Sequence, residues 1–282
     1  MFESFLITSR ETLEVSLVVG IVFSYLYKTK QQNYNKIVYW GIFAGILASI
    51  FFAVFFHVIA GGFEGTLEQV FEGTTMILAA ILISTMILWM LKQKKVIQGI
   101  EQKVEKYVNQ SKLTKAGIYG LFFLVLISVL REGVETVLFL NAISFTSGIN
   151  FIGGILGVLI AMGVGYLFFT KAKKLNLSKV FNISSILLIL FAAGLIAHGV
   201  HEFEEAGIIN PIIYPVWDIN PAVNVDGTYP ALHEKGSVGS FFKGLFGYNG
   251  NPSLVEVISY ISYLILIYLF YRKVKGPTTS KA

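Results

Sequence analysis

Two stretches decide how this chain folds: S-R-E-T-L-E-V-S-L at residues 9–17 and L-R-E-G-V-E-T-V-L at residues 130–138. Each sets an Arg-Glu-x-x-Glu motif inside an apolar run long enough to cross a bilayer, for which about 20 residues suffice. Working outward, seven such runs emerge, at residues 4–27, 37–60, 71–91, 117–141, 149–170, 180–200 and 254–271. Only 14% of the 282 residues are charged and 55% are hydrophobic, whereas a soluble domain carries about 25% charge. A chain of this length does not comfortably bury seven such runs in one soluble core. The expected fold is therefore all-α, a polytopic membrane protein of seven transmembrane helices.

The loops are sorted by charge. Eighteen of the 22 basic residues follow the first, third, fifth and seventh runs. The positive-inside rule puts those four segments in the cytoplasm. The N-terminus is then outside and the C-terminus inside, in the cell membrane, which agrees with an odd number of spans. The segments on the other side are acidic, with Glu64, Glu68 and Glu72 before the third run and Glu202, Glu204, Glu205, Asp218, Asp226 and Glu234 after the sixth. This sorting explains the net charge of +5 without a nucleic-acid partner. The chain has no cysteine, which excludes disulfides, thiolate metal ligands and Fe–S clusters. It has no Gly-rich nucleotide loop either, so ATP hydrolysis is not expected. The N-terminus lacks the positive region and cleavage site of a secretory signal, and the first run reads as a retained helix.

The two motifs stand 121 positions apart, in the first and fourth runs, so their helices cross the membrane in opposite directions. That is the mark of a 3+3 inverted repeat with one extra helix. Repeat one covers about 1–92 and repeat two about 116–201. An outer loop at 202–253 and a final helix at 254–271 follow. In transporters of this kind the site lies between the halves near mid-membrane.

On a helix, residues three and four apart share a face. Glu11 and Glu14 therefore lie together beside Arg10, and Glu132 and Glu135 beside Arg131. Ionisable groups at mid-bilayer cost about 2.5–3.5 kcal/mol each on insertion scales and face a bundle interior or an aqueous path. Four carboxylates are hard oxygen ligands, suited to iron, manganese and similar cations. The arginines would neutralise the empty site and yield to an arriving cation. The competing explanation is two structural ion pairs that pin helix packing.

A second cluster stands at the outer end of the sixth run, A-H-G-V-H-E-F-E-E at residues 197–205. His198, His201, Glu202 and Glu205 sit at helical spacings and offer both imidazole and carboxylate, as a first-contact metal site on the outer side requires. Glu68 and Glu72 are the corresponding pair in the first half. The alternative is a polar cap at the interface. His57 reads as an interface histidine, and His233 is uninformative. The stretch 92–115 mixes lysines with Val96, Ile97, Ile100 and Val104; it reads as a surface helix on anionic lipid or as a solvated linker. The loop 208–252 holds five of the six prolines and either covers the site or links two spans.

With R-E-T-L-E and R-E-G-V-E join F-E-G at 71–73, H-E-x-x-E-A-G at 201–207, W-D at 217–218 and G-Y-x-x-N-P-S at 247–253. In these features the chain resembles the oxidase-dependent iron permeases, in particular their EfeU-type bacterial members, over nearly its whole length. The resemblance implies a permease rather than an enzyme, carrying iron as substrate, with no permanently bound cofactor. It implies Glu11, Glu14, Glu132 and Glu135 as the iron ligands. For some members it implies a separate extracytoplasmic oxidase, peroxidase or iron-binding protein, since no such domain is fused here. Three other expectations stay open. One is a proton-coupled exchanger for another metal such as manganese or lead. Another is a membrane oxidoreductase holding haem through His57 and His198 or His201. The last is a sensor that transports nothing.

Overall fold

A computed structural model describes residues 1–90, 99–100, 102–108, 115–146, 148–170, 177–224 and 226–275. Helices stand at all seven expected positions: α1 (Phe2–Lys28), α2 (Asn35–Ala60), α3 (Thr66–Met90), α4 (Lys115–Thr146), α5 (Phe151–Thr170), α6 (Leu177–Glu205) and, after the short α7 (Ser237–Phe246), α8 (Leu254–Lys275). No strand occurs among the described residues. Helix α3 begins five residues earlier than the hydropathy implies, because T-L-E-Q-V continues its periodicity through Glu68. Helix α6 likewise runs on to Glu205, so the whole histidine–glutamate cluster is helical. Residues 32–60, 66–89, 183–205 and 254–273 are long and apolar enough to cross a membrane. The motif helices α1 and α4 are also long, at 27 and 32 residues, but each carries three ionisable groups within its apolar run.

Small residues set the packing. On α2, Gly41, Gly45 and Ser49 recur every fourth position and face Val125, Val129 and Gly133 of α4. On α5, Gly153, Gly157, Ala161 and Gly165 do the same, and the three glycines meet Met1, Phe5, Thr8 and Ser16 at α1. A side chain at Gly45 would come within 2.7 Å of Val129. Such small-residue stripes let helices approach closely where no hydrophobic force drives them together. The outer flanks of α2 and α5 expose large apolar side chains such as Phe51, Val58, Ile152 and Leu159, as lipid-facing surfaces do. The dominant pairings are thus α1 with α5, α2 with α4, and α3 with α6, while α1 and α4 touch each other and α8 leans on α6. Helices α3 and α6 cross at Gly73 and Gly199, where an added Cβ would lie 2.8 or 3.0 Å from the opposite carbonyl.

Short helices close both ends of the bundle. At one end, residues 102–108 are helical and bury Val104 and Val108 against Val22, Leu26, Val38, Leu121 and Val125. This part of the 92–115 stretch is a packed piece of the bundle rather than a solvated linker; Val96 and Ile97 lie outside the described residues. At the other end, α7 buries Leu245 with Leu6 and Ile7 and sets Phe241 on Phe2. Gly247 ends α7 at φ 69°, with its Cα packed against Gly194 of α6. Both the left-handed turn and the close approach require glycine. The loop before α8 is tied down by Val216 N–H to the Pro252 carbonyl (2.9 Å) and Ile219 N–H to the Gly250 carbonyl (2.9 Å).

Candidate functional site

The two motif helices bring their carboxylates together. Oxygens of Glu11, Glu132 and Glu135 lie within 4.8 Å of one another. Glu14 stands beside them on α1, its Oε1 3.1 Å from Arg10 Nη2. Arg10, Glu11, Glu14 and Glu132 are all buried, at 2–4% exposure, and Glu135 is half-buried. Arg10 also approaches Glu11 at 3.3 Å and donates to the Met86 sulfur of α3.

The site is short of partners. Among the described residues, six buried side-chain polar atoms lack a hydrogen bond, and five are here: Arg10 Nε and Nη2, Glu11 Oε2, Glu14 Oε1 and Glu132 Oε2. Arg10 Nη2 and Glu14 Oε1 are close enough to attract but too poorly aligned to bond. Buried polar groups are normally satisfied, so a concentration of orphans in one place marks a position for something else. Three orphan carboxylate oxygens fit a cation better than a further helix contact.

The two motifs are alike in sequence and unlike in surroundings. Arg10 is buried, at 2% exposure, and so are Leu6 and Ile7 one turn before it. The Arg131 side chain is 49% exposed. Its guanidinium binds Glu132 through Nε (3.0 Å) and closely through Nη2, lies 3.5 Å from Glu135 and stacks over Trp89 at 5.3 Å. It faces a cavity of about 820 Å³ that runs from Glu132 past Ser128 and Leu124 to Lys103 and Tyr107 of the 102–108 helix. A separate cavity of about 640 Å³ reaches Glu11 and Glu132 from the side, between α1, α2, α4 and α5.

The outer cluster gathers on α3 and α6. Glu72 has Glu202, Glu68 and Glu205 as its charged neighbours, and Gln69 donates to Glu205 at 3.3 Å. His201 lies 3.2 Å from Glu205 through Nε2 and 3.1 Å from Glu256 of α8 through Nδ1. His198 is turned elsewhere, its Nδ1 on its own helix's Gly194 carbonyl at 3.1 Å. His57 is exposed on α2, which packs on α4, whereas His198 and His201 lie on α6, which packs on α3 and α8. Sequence reasoning did not single out Glu256, Met86 or Trp89. Only Glu256 carries a local signal, the S-x-x-E spacing from Ser253 that marks a capping box.

A membrane bundle with a carboxylate cluster at its centre defines a transporter class, and comparison with known proteins narrows it. Residues 1–276 match the iron permease FTR1 family, and the chain belongs to that family. It is accordingly an integral membrane protein, a permease rather than an enzyme. The ferrous iron permease EfeU of Escherichia coli O6:K15:H31 (strain 536 / UPEC) is 29% identical over 270 residues, covering 94% of this chain and 93% of that protein. The ferrous iron permease EfeU of Yersinia pestis is 30% identical over 290 aligned residues, covering 100% and 98%. No solved structure matches.

Proposed function

We propose that the chain carries iron across the cytoplasmic membrane into the cell, and that Glu11, Glu14, Glu132 and Glu135 hold the ion in transit. The observation that carries this reading is the set of orphaned carboxylate oxygens at the contact of the two motif helices. Ferrous iron is the ion named for the relatives at 29% and 30% identity. His201, Glu202, Glu205, Glu68 and Glu72 act first, on the outer side, where an imidazole among carboxylates suits a divalent first-row metal. A separate extracytoplasmic oxidase, peroxidase or iron-binding protein is the expected supplier.

The pairing of helices supports an inverted repeat. Exchanging α1 with α4, α2 with α5 and α3 with α6 leaves every dominant contact unchanged, and the small-residue stripes of α2 and α5 exchange with it. Two halves so related can swap conformations, which is how alternating access works in such folds. Arg10 sealed and Arg131 open to the 820 Å³ cavity is the asymmetry of one such state. With seven spans, the N-terminus outside and the basic loops inside, that cavity faces the cytoplasm and serves release. Each arginine pairs with carboxylates while no ion is bound; the ion takes over those carboxylates and the arginine withdraws, Arg131 toward Trp89 and the cavity. This exchange keeps the empty site tolerable in low dielectric and the loaded site reversible.

The test is uptake of radiolabelled ferrous iron into proteoliposomes by wild type, Glu11→Gln and Glu135→Gln. Uptake by each variant falls at least tenfold while folding in detergent is retained. Wild-type rates in both variants overturn the assignment. Competition by manganese and lead in the same vesicles measures selectivity, since carboxylates alone discriminate weakly among these cations.

A further inference from the structure

Glu256 is buried to 2% exposure near the start of α8, a helix with no other acidic residue and no basic one before Arg272. Its first task is local. Ser253 Oγ accepts the Glu256 N–H at 3.1 Å, and Glu256 Oε1 accepts the Ser253 N–H at 3.1 Å. This is a reciprocal capping box. Capping alone does not require burial, and Glu256 does more. Its Oε1 also meets His201 Nδ1 at 3.1 Å, across 55 residues of chain, and its Oε2 accepts from Asn249 at 2.7 Å. Ser253 in turn donates through Oγ to Glu204 at 2.9 Å.

His201, Glu204 and Glu256 bring ligand atoms within 4.8 Å of one another, yet they are a poor ligand set. Three donors already occupy the two oxygens of Glu256, and Glu204 is engaged by Ser253. Outside that network stands the far nitrogen of the imidazole. A carboxylate acceptor at Nδ1 requires a proton there. In the neutral ring the lone pair is then on Nε2, which faces Glu205 at 3.2 Å and the acidic group around Glu72. Metal-ligating histidines are commonly held this way, with one nitrogen on a carboxylate and the other on the ion.

We infer that Glu256 is a positioning residue for iron intake: it fixes the ring orientation and tautomer of His201, so that Nε2 and Glu205 together receive the incoming cation. The final helix, which lies outside the repeat, thereby supports the outer site through its α6 side. This inference rests on His201 being an outer ligand, as proposed above.

The test compares a variant that loses the carboxylate with one that loses only part of the cap. Glu256→Ala raises the KM for ferrous iron in proteoliposomes about tenfold, the usual effect of removing such a partner. Ser253→Ala, which disturbs the capping box but leaves Glu256 against His201, stays within twofold of wild type. Adding Glu256→Ala to His201→Ala raises KM no further than His201→Ala alone. Nitrogen NMR of imidazole-labelled protein, with the His201 signals assigned by their absence in His201→Ala, shows Nδ1–H in the wild type and its loss in Glu256→Ala. If Glu256→Ala fails to reach the membrane, Glu256→Gln carries the comparison with a smaller rise, about threefold. Equal KM changes in Ser253→Ala and Glu256→Ala, multiplicative effects in the double variant, or an unchanged tautomer overturn the inference. So does a normal KM in His201→Ala, which leaves wild-type permeation standing. Absence of ferrous uptake by the wild type overturns the proposed function itself.

Discussion

Arg10→Ala and Arg131→Ala remove the same side chain from the same motif and change the net charge equally, so a difference between them reports environment alone. Arg10 is 2% exposed and stands within 3.1 and 3.3 Å of two buried carboxylates. Breaking a buried ion pair by removing one partner costs about 3–5 kcal/mol, because the remaining charge is left uncompensated. The Arg131 side chain is 49% exposed and Glu132, though buried, lines the same cavity, so water there partly compensates the carboxylate left behind and the cost falls toward that of an exposed pair, about 1 kcal/mol. At about 2–4 °C per kcal/mol for a chain of this size, Arg10→Ala lowers the melting midpoint in detergent on the order of 10 °C, and Arg131→Ala by about 3 °C. The assay is thermal unfolding of purified protein followed by tryptophan fluorescence, with and without ferrous iron. Added iron restores part of the Arg10→Ala loss, since a ligand at 100 times its Kd adds about 2.7 kcal/mol to the folded state. Equal shifts in the two variants refute the sealed-and-open distinction, and no response of Arg10→Ala to iron refutes the link between the orphaned carboxylates and a cation.

Three further outcomes follow from the packing. A cysteine at Ser128, which lines the 820 Å³ cavity, reacts with a polar maleimide added to inside-out vesicles, whereas a cysteine at Ile7, 1% exposed, does not react from either side; equal labelling removes the asymmetry. Gly73→Val wedges α3 from α6, because its Cβ lies 2.8 Å from the Gly199 carbonyl, and its folded yield by size-exclusion chromatography drops severalfold, while Gly163→Ala, with open space at its Cβ, leaves yield unchanged. Val104→Asp buries a carboxylate in an apolar cluster, a change that costs several kcal/mol, and it lowers the melting midpoint measurably more than Lys106→Asp on the exposed side of the same turn.

Most of the scaffold was legible in the sequence because its determinants are local. Apolar runs of bilayer length correspond to a helix at each expected position, and the i, i+3 and i, i+4 rules put Glu11 on a face with Glu14 and Glu132 on a face with Glu135. Hydropathy ends the sixth run at residue 200, but the helical spacing of His198, His201, Glu202 and Glu205 already points to the extension of α6 to Glu205. Glu256, by contrast, was hidden. Locally it completes a capping box, which accounts for it, and its bond to His201 spans 55 residues with no periodicity to announce it. The burial of Val104 and Val108 was equally out of reach, since an amphipathic turn reads the same whether it lies on lipid or on protein.

The unequal surroundings of two equal motifs are the deepest thing the sequence did not disclose, and they follow from the short helices at the two ends of the bundle. The 102–108 helix closes one end of the bundle loosely, burying two valines and leaving a cavity that reaches Arg131. At the opposite end α7 seats Leu245 with Leu6 and Ile7, and Gly244 lies close against Glu3, while Arg10 stays 2% exposed. Under the proposed function, a symmetric pair of half-sites becomes directional through parts that are not symmetric: two short helices of different fit, and a final helix that lends its one carboxylate to the α6 cluster. If that is the origin of direction, weakening the α7 seal with Leu245→Ala opens the outer path without touching a motif residue. The variant then labels at a cysteine placed at Ile7 from the outer side, and unchanged protection there would mean that the seal resides in the motif helices themselves.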